Sequence, residues 1–143
     1  MLKFAGIKAT CCHRASGKPG IKAFDRGKPN GIEKRAGFIS WNGNTGASAI
    51  NVAYHLGVRH IVLLGFDMRK VEDDCNWHPE HLKMNPNSEK KKLANGGVNC
   101  YGRYLKKFPQ VAKDAKRLGL NILNATPGSV LLDFPIVELD DVL

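Results

Sequence analysis

Hydrophobic positions recur at helical spacing in two stretches of the chain. The first stretch ends at Gly57, which suits a left-handed cap at the C-terminus of a helix. The second ends at Gly119 and contains Pro109, which predicts a kink or a break. Because apolar residues three or four positions apart share one helix face, both stretches are predicted to be helical. The apolar positions are Ala49, Ile50, Ala53 and Leu56 in the first, and Tyr104, Phe108, Val111, Ala112, Ala115 and Leu118 in the second.

Shorter apolar runs predict strands. Residues 60–65 contain a continuous run of the kind found in buried parallel strands, and residues 120–124 contain another. Residues 6–12 and 38–41 also have strand-like composition, whereas residues 26–31 indicate an exposed basic loop. Because helices and strands alternate along the chain, we predict an α/β layered fold with parallel strand pairing.

The predicted ligand site lies at the carboxyl ends of the strands, where parallel α/β sheets bind their ligands. Residues 43–46 precede the first helix, and their small side chains would let the backbone approach a phosphate at the helix N-terminus. They match neither of the standard glycine motifs for phosphates. A plain helix capped by Asn or Thr is the alternative. We expect Gly46→Val to block the phosphate and to leave the fold largely intact.

Two other positions belong to the same predicted edge of the sheet. Asp67 directly follows an apolar run, where a carboxylate can reach a ribose hydroxyl or a metal ion. Its alternative role is to cap the next turn. Asn124 and Ser129 bound a polar turn after the last predicted strand, and ordinary turn chemistry is the alternative there.

A segment with thiol and imidazole side chains follows the central predicted strand. Cys75, His78 and His81 have the spacing C-x-x-H-x-x-H, and Cys100 is available as a fourth ligand for zinc. Imidazoles in this position are also suited to move a proton or to contact a phosphate near neutral pH. We assign His78 and His81 to the ligand cleft without zinc. Zinc binding and solvated loop histidines are the alternatives.

The charge of the chain favours anionic partners. The 143 residues carry a formal net charge of +9, and we treat residues 1–143 as a single domain. Residues 1–36 contain nine Lys and Arg against two acids, and residues 75–117 contain ten against three. These basic segments predict either solvated lysines or a nucleic-acid contact. Aromatic residues do not interleave with the lysines at 90–92, as a stacking platform for single strands would require.

The composition also bears on the compartment. No run approaches the roughly 18 apolar residues that a membrane helix needs, and Lys8 lies where a signal peptide would be apolar. The four cysteines suggest no disulfide framework, because Cys11 and Cys12 are adjacent. We therefore expect a cytoplasmic protein without a membrane partner.

Four blocks in a fixed order resemble a group of phage and prophage Rossmann-like proteins, which would place the chain in a host cytoplasm. The group is similar to hydroxymethylpterin diphosphokinase-like domains and, more remotely, to bacterial sialyltransferases that use a cytidine monophosphate sugar donor. The resemblance covers most of the chain from about Phe38 onward and implies a Rossmann-like three-layer fold with a mostly parallel sheet. The blocks are residues 41–57, 61–68, 77–81 and 124–129.

The same resemblance implies which loops hold the donor. In the sialyltransferases the turn before the helix contacts the nucleotide, and a later turn helps to hold the donor. Relatives begin with a further strand and a glycine-rich turn, whereas a short segment precedes Gly6 here. We therefore expect a fold shortened at the N-terminus, a fragment, or a site that a partner chain or a second copy completes. The matching positions are Asn44, Thr45 and Gly46 in the first turn, and Asn124, Pro127 and Ser129 in the second.

These inferences predict a protein that binds a nucleotide or a nucleotide sugar, related to glycosyl- or diphospho-transferases. Asp67, His78 and His81 are the expected catalytic residues, and a divalent metal ion is a candidate cofactor beside the nucleotide. The alternative is a non-enzymatic protein that sequesters a nucleotide or contacts nucleic acid through the basic segments.

Overall fold

The computed structural model describes residues 6–12, 17–69 and 100–143. These residues form short strands, three α-helices and a terminal 3₁₀ turn, Leu139–Asp141. The strands are β1 (Lys8–Thr10), β2 (Ile21–Ala23), β3 (Asp25–Arg26), β4 (Phe38–Ile39), β5 (His60–Leu63) and β6 (Asn121–Asn124). The helices are α1 (Thr45–His55), α2 (Cys100–Leu105) and α3 (Phe108–Arg117).

Every strand pair in the described part of the chain is parallel. β1 pairs with β2, β3 with β4 and β5 with β6, and in the last pair His60 lies opposite Asn121. The fold is therefore mixed α/β with parallel pairing, as the alternation of helices and strands predicts. Over the described residues the strands form three separate two-stranded sheets. The structure therefore supports the α/β class, but it does not show one continuous sheet between two layers of helices.

Phe24 connects two of these sheets. Its amide donates to the carbonyl of Thr10 (2.8 Å), and the next amide, that of Asp25, donates to the carbonyl of Gly37 (2.8 Å). Residues 21–26 therefore form one extended segment that bonds first to β1 and then to β4. The sequence pattern did not predict β2 and β3, because both are short, mostly exposed and partly charged.

The hydrophobic core lies where α1, α3 and the β5–β6 sheet meet. On α3, Phe108, Val111 and Ala115 are buried, which confirms the apolar face predicted from their spacing. Pro109 lies in the first turn of α3, where its missing amide is tolerated, so the break falls between α2 and α3. No helix among the described residues is long and apolar enough to span a membrane.

Two details of the predicted burial are wrong. On α1 the predicted face is rotated, because Ala49 is exposed and Leu56 is 44% exposed, whereas Ala47, Ile50 and Asn51 are buried. β5 is not buried on both faces, because Val62 and the residue after the strand, Leu64, are 40% and 56% exposed. Its side chains alternate between the core and solvent, as in a sheet that is covered on one side.

The predicted exposed loop at residues 26–31 is also only partly exposed. Arg26 belongs to β3, and Gly31 and Ile32 are buried. Asn42 secures this segment: its Oδ1 accepts from the Gly31 amide (2.8 Å) and its Nδ2 donates to the Gly31 carbonyl (3.1 Å). The loop is therefore packed against the chain that leads into α1.

Asn51 is the buried polar residue of α1. Its Oδ1 accepts from the amides of Glu33 and Ser40, both at 2.8 Å, and its Nδ2 donates to the Glu33 carbonyl (3.0 Å). Because these backbone groups are buried, an apolar residue at this position would leave them unpaired. Asn51 thus holds the loop before β4 and the end of β4 against the helix.

Candidate functional site

The segment before α1 forms the predicted turn and cap. Asn42 and Gly43 both have positive φ, 49° and 62°, which turns the chain sharply. Asn44 is the N-cap, and its Oδ1 accepts from the Ala47 amide (3.2 Å). The helix runs from Thr45 to His55. The prediction of a turn followed by a helix that ends near residue 56 is therefore confirmed. The predicted loop over residues 43–46 is too long, because Thr45 and Gly46 are already the first residues of α1.

The first turn of α1 leaves two amides available. The Ala47 amide is bound by the cap, and the Ser48 amide donates to the Asn44 carbonyl (3.0 Å). The amides of Thr45 and Gly46 have no hydrogen-bond partner among the described residues. Thr45 is also exposed. A helix N-terminus carries partial positive charge, so these two amides can donate hydrogen bonds to an anion from solvent.

The three predicted loops meet around Phe66. The Phe66 amide donates to Thr126 Oγ1 (3.0 Å), and Ser129 Oγ donates to the Phe66 carbonyl (2.6 Å). On its other side the Phe66 ring lies against Gly46, where an added Cβ would be 2.8 Å from two ring carbons. The loop before α1, the loop after β5 and the turn after β6 are therefore parts of one cluster. The rule for parallel sheets accounts for the last two, because β5 and β6 pair in parallel.

Gly46 thus has a packing role that the sequence did not reveal. A branched side chain there would collide with the Phe66 ring, which also packs edge-on against Phe108 with 6.2 Å between ring centroids. This collision counts against the expectation that Gly46→Val leaves the fold largely intact, which stays a prediction. The absence of a side chain at Gly46 makes room for the Phe66 ring, whether or not a ligand also approaches the backbone there.

Asn124 holds the turn after β6 from within. Its side chain is fully buried, with Nδ2 donating to Ser129 Oγ (2.9 Å) and to the Leu131 carbonyl (3.2 Å). Its Oδ1 accepts from the Thr126 amide (3.1 Å). These bonds engage the whole amide group, so Asn124 shapes the turn, while Pro127 of the same turn is exposed.

Arg69 is a member of the cluster that the sequence reasoning missed. Its Nε donates to the Gly128 carbonyl (2.7 Å), and a Cβ on Gly128 would lie 2.8 Å from one of its guanidinium nitrogens. Asp67 is half-buried beside it, and its backbone carbonyl accepts from the Val130 amide (3.1 Å). The sequence signal that could have identified Arg69 is its position two residues after Asp67, near the carboxyl end of β5. The cluster therefore offers an exposed cation as well as free amides.

A groove of about 480 Å³ runs along α1 from this end of the fold. Its polar lining comes from Thr10 and Cys11, at the carboxyl end of β1, and from Thr45 and Ser48 in the first turn of α1. The other described residues of the lining are aliphatic. Sequence reasoning did not find this groove, because it depends on the approach of β1 to α1. The aliphatic residues are Ala9, Ile39, Ala49, Val52, Ala53, Leu56 and Val58.

The predicted acid–base residues His78 and His81 lie outside the described residues, as does Cys75. Their assignment to the ligand cleft and the zinc alternative that includes Cys100 both stay predictions. Within the described ranges, no three His, Cys, Asp or Glu side chains are grouped so that they could hold a metal ion.

We compared the chain with protein-family models, curated proteins and solved structures. None of them matches it.

Proposed function

We propose that the protein binds a phosphate-bearing nucleotide or nucleotide sugar where α1 begins. One observation carries this proposal: the first turn of α1 has two free amides, and Thr45, which carries one of them, lines the polar end of a groove whose other wall is aliphatic over the described residues. Small-molecule sites combine an apolar wall with a few placed polar groups, in volumes of roughly 300–1,000 Å³. The resemblance of the sequence blocks to nucleotide-sugar enzymes favours the same ligand class.

In this proposal the phosphate binds to the amides of Thr45 and Gly46. The N-cap bond of Asn44 fixes the direction of the helix, so both N–H groups point out of its first turn. The exposed guanidinium of Arg69 supplies positive charge from the neighbouring turn. A phosphate attracts charge-assisted hydrogen bonds from both kinds of donor.

The nucleoside then lies along the aliphatic wall of the groove. Thr10 and Ser48 are the nearby hydroxyl groups, and the Ser48 hydroxyl already donates to the Trp41 carbonyl (2.8 Å). Thr10 Oγ1 accepts from the Cys12 amide (3.1 Å), which leaves its proton for a ligand. The groove thus favours a base or a sugar with one apolar face.

The fold and the reaction are parts of the same proposal. We place the parallel pairs in one Rossmann-like three-layer fold, whose site a partner chain or a second copy completes. If the protein is a transferase, Asp67, His78 and His81 are the residues that act on the ligand. Asn124 and Ser129 take a positioning role, because they hold the turn against Phe66.

A proline at position 45 tests the phosphate contact directly. Thr45 is the first residue of α1 and the preceding Asn44 is extended (φ −147°, ψ 122°), so proline fits the backbone. Thr45→Pro removes one free amide together with the hydroxyl, and Thr45→Ala removes the hydroxyl alone. Calorimetric titration with a nucleotide panel gives the affinities, and the tightest-binding nucleotide is then compared with its nucleoside.

We expect Thr45→Pro to weaken nucleotide binding about tenfold or more, since a hydrogen bond to a charged group contributes roughly 1.5–3 kcal/mol. Thr45→Ala should have a much smaller effect, and neither variant should change the affinity of the nucleoside. Equal nucleotide affinity in the proline variant and the wild type, with the unfolding temperature retained, would contradict the phosphate contact.

The aliphatic wall has its own test. Ala49→Leu places extra volume in the groove, and Ala23→Leu adds the same volume at an exposed position of β2. Nucleotide and nucleoside affinities should both fall in the first variant and stay unchanged in the second. Equal affinities in the two variants would exclude the groove as the nucleoside site.

A further inference from the structure

A second groove, of about 540 Å³, lies between the loop at residues 28–30 and the outer side of α3. The loop belongs to the first basic segment of the sequence and α3 belongs to the second. Their cations therefore meet in one place, although they lie some 80 positions apart in the chain. The groove is lined by Lys28, Asn30, Gln110, Lys113, Asp114 and Arg117.

The groove has a fixed shape, because buried contacts attach the loop to α3. Asp114 is 6% exposed, and its Oδ2 accepts from the Ile32 amide (2.9 Å). Lys107 Nζ donates to Asn30 Oδ1 (2.7 Å), which ties the start of α3 to the loop. Gly31 lies against the Asp114 carboxylate, where no side chain would fit. These contacts span the two basic segments.

The electrostatic balance of the groove is positive. Asp114 is the one carboxylate among the described residues of its lining, and its Oδ1 accepts from Gln110 (3.2 Å) and from Arg117 (3.2 Å). Lys28 lies close enough to Glu33 to help lower the pKa of that carboxyl, after the larger effect of the Arg35 amide. Lys113 is exposed and has no ion-pair partner among the described residues. With both acids counted, cations still outnumber carboxylates.

The chemistry of the lining points to a sugar–phosphate backbone. Lysine, arginine and amide side chains are the groups that contact phosphates and sugars in nucleic-acid complexes. Gln110, Lys113 and Arg117 lie three and four positions apart, so they form one row along α3. In the part of the chain that the structure describes, no aromatic ring lines the groove, and proteins bind single-stranded nucleic acid by stacking its bases on such rings.

We propose that this groove binds the backbone of double-stranded nucleic acid. None of its lining residues belongs to the proposed nucleotide site, so the inference is independent of that site. Recognition is by charge and backbone shape, without reading of base edges. Affinity should therefore depend steeply on salt and little on sequence.

A charge reversal with a matched control tests the proposal. Lys113→Glu changes a residue that lines the groove and also a neighbouring cavity, whereas Lys116→Glu makes the same change of net charge on the same helix, at an exposed residue that lines the neighbouring cavity and not the groove. Fluorescence anisotropy with a labelled 20-base-pair DNA of arbitrary sequence gives the dissociation constants over a series of salt concentrations. Thermal unfolding confirms that both variants are folded.

We expect Lys113→Glu to weaken duplex binding at least tenfold and to reduce the slope of log affinity against log salt by about 0.9 for each phosphate that is no longer neutralised. Lys116→Glu should weaken binding less than threefold. Lys28→Glu, which changes the other wall, should act like Lys113→Glu, while Thr45→Pro should leave duplex binding unchanged. This last variant separates failure of the nucleotide site from failure of the groove.

Further arms define the ligand. Duplex RNA of the same length shows whether the helix form matters, and tighter binding by either duplex than by a single strand supports the proposal. Equal weakening in Lys113→Glu and Lys116→Glu would show that net charge, and not the groove, binds the polyanion. Stronger binding by single-stranded DNA or by inorganic polyphosphate would also overturn it, as would absence of duplex binding at low salt.

Discussion

The buried amide of Asn51 should be among the largest single polar contributions to the stability of this fold. Its side chain is 0% exposed and makes three hydrogen bonds to the backbone of Glu33 and Ser40. Asn51→Ala removes the side chain while preserving helix propensity. The change leaves two amides and one carbonyl without their partner, in a part of the molecule that has little access to water.

The magnitude follows from the number of groups left unpaired. Each buried backbone group that loses its hydrogen bond costs roughly 1–3 kcal/mol. Partial relaxation and entry of water reduce the sum, so we expect a decrease of about 3–5 kcal/mol in the free energy of unfolding. Domains of this size have a total of roughly 5–15 kcal/mol. The variant should therefore unfold about 6–20 °C below the wild type, at roughly 2–4 °C per kcal/mol.

Urea denaturation and thermal unfolding measure this decrease. Asn121→Ala is the matched control, because Asn121 is an exposed asparagine on β6 and its replacement should change stability by less than about 0.5 kcal/mol. Asn51→Asp keeps the acceptor for both amides but buries a carboxylate oxygen against the Glu33 carbonyl, so it should also destabilise the fold at pH 7. If Asn51→Ala lies within about 1 kcal/mol of the Asn121 control, the argument from unpaired backbone groups is refuted.

Two other variants probe the same region. The amides of Arg35 and Lys34 hold the pKa of the Glu33 carboxyl below its ordinary value of 4.5, so its stabilisation is present above pH 4.5 and is lost as the pH falls through the lowered value. Glu33→Gln should therefore unfold at a lower temperature at pH 7 and lose less stability between pH 6 and pH 3; parallel pH curves for the two proteins would contradict this. Gly46→Ala should cost roughly 1–3 kcal/mol through its collision with Phe66. A double-mutant cycle with Phe66→Leu should show positive coupling, and additive effects would disprove the collision.

Periodicity predicted the elements whose burial depends on their own sequence. α3 carries its apolar face at regular spacing, and the structure buries Phe108 and Val111 completely. α1 was predicted as a helix, but its buried face was misplaced because Asn51 takes a core position that an apolar pattern would reject. The short strand β3 escaped prediction, since its pairing with β4 depends on a neighbour and not on its own residues.

In the candidate site, too, some features follow from the local sequence and others depend on residues that are distant in the chain. The proximity of the loop after β5 to the turn after β6 was predicted correctly, because paired parallel strands end at the same edge of their sheet, and the backbone of Phe66 is bonded to Thr126 and Ser129. The roles of individual residues were not predictable. The sequence identified Asn124 only as a polar turn residue. Its hydrogen bonds to Ser129 and Leu131 in the structure show that its side-chain NH₂ group is already bonded within the protein. Arg69 is likewise positioned by its hydrogen bond to the carbonyl of Gly128, which lies 59 positions away in the sequence.

Gly46 illustrates why the amide at position 45 provides the more decisive test of function. A glycine at a helix N-terminus is consistent with a phosphate that approaches the backbone and also with an aromatic ring that packs there. Here the ring of Phe66 already requires the glycine, so a side chain at position 46 would disturb packing and binding together. The Thr45 amide is unpaired among the described residues, and the backbone conformation at this position is compatible with proline. Weaker binding in Thr45→Pro therefore reports on the anion contact, because the packing around Phe66 is left in place.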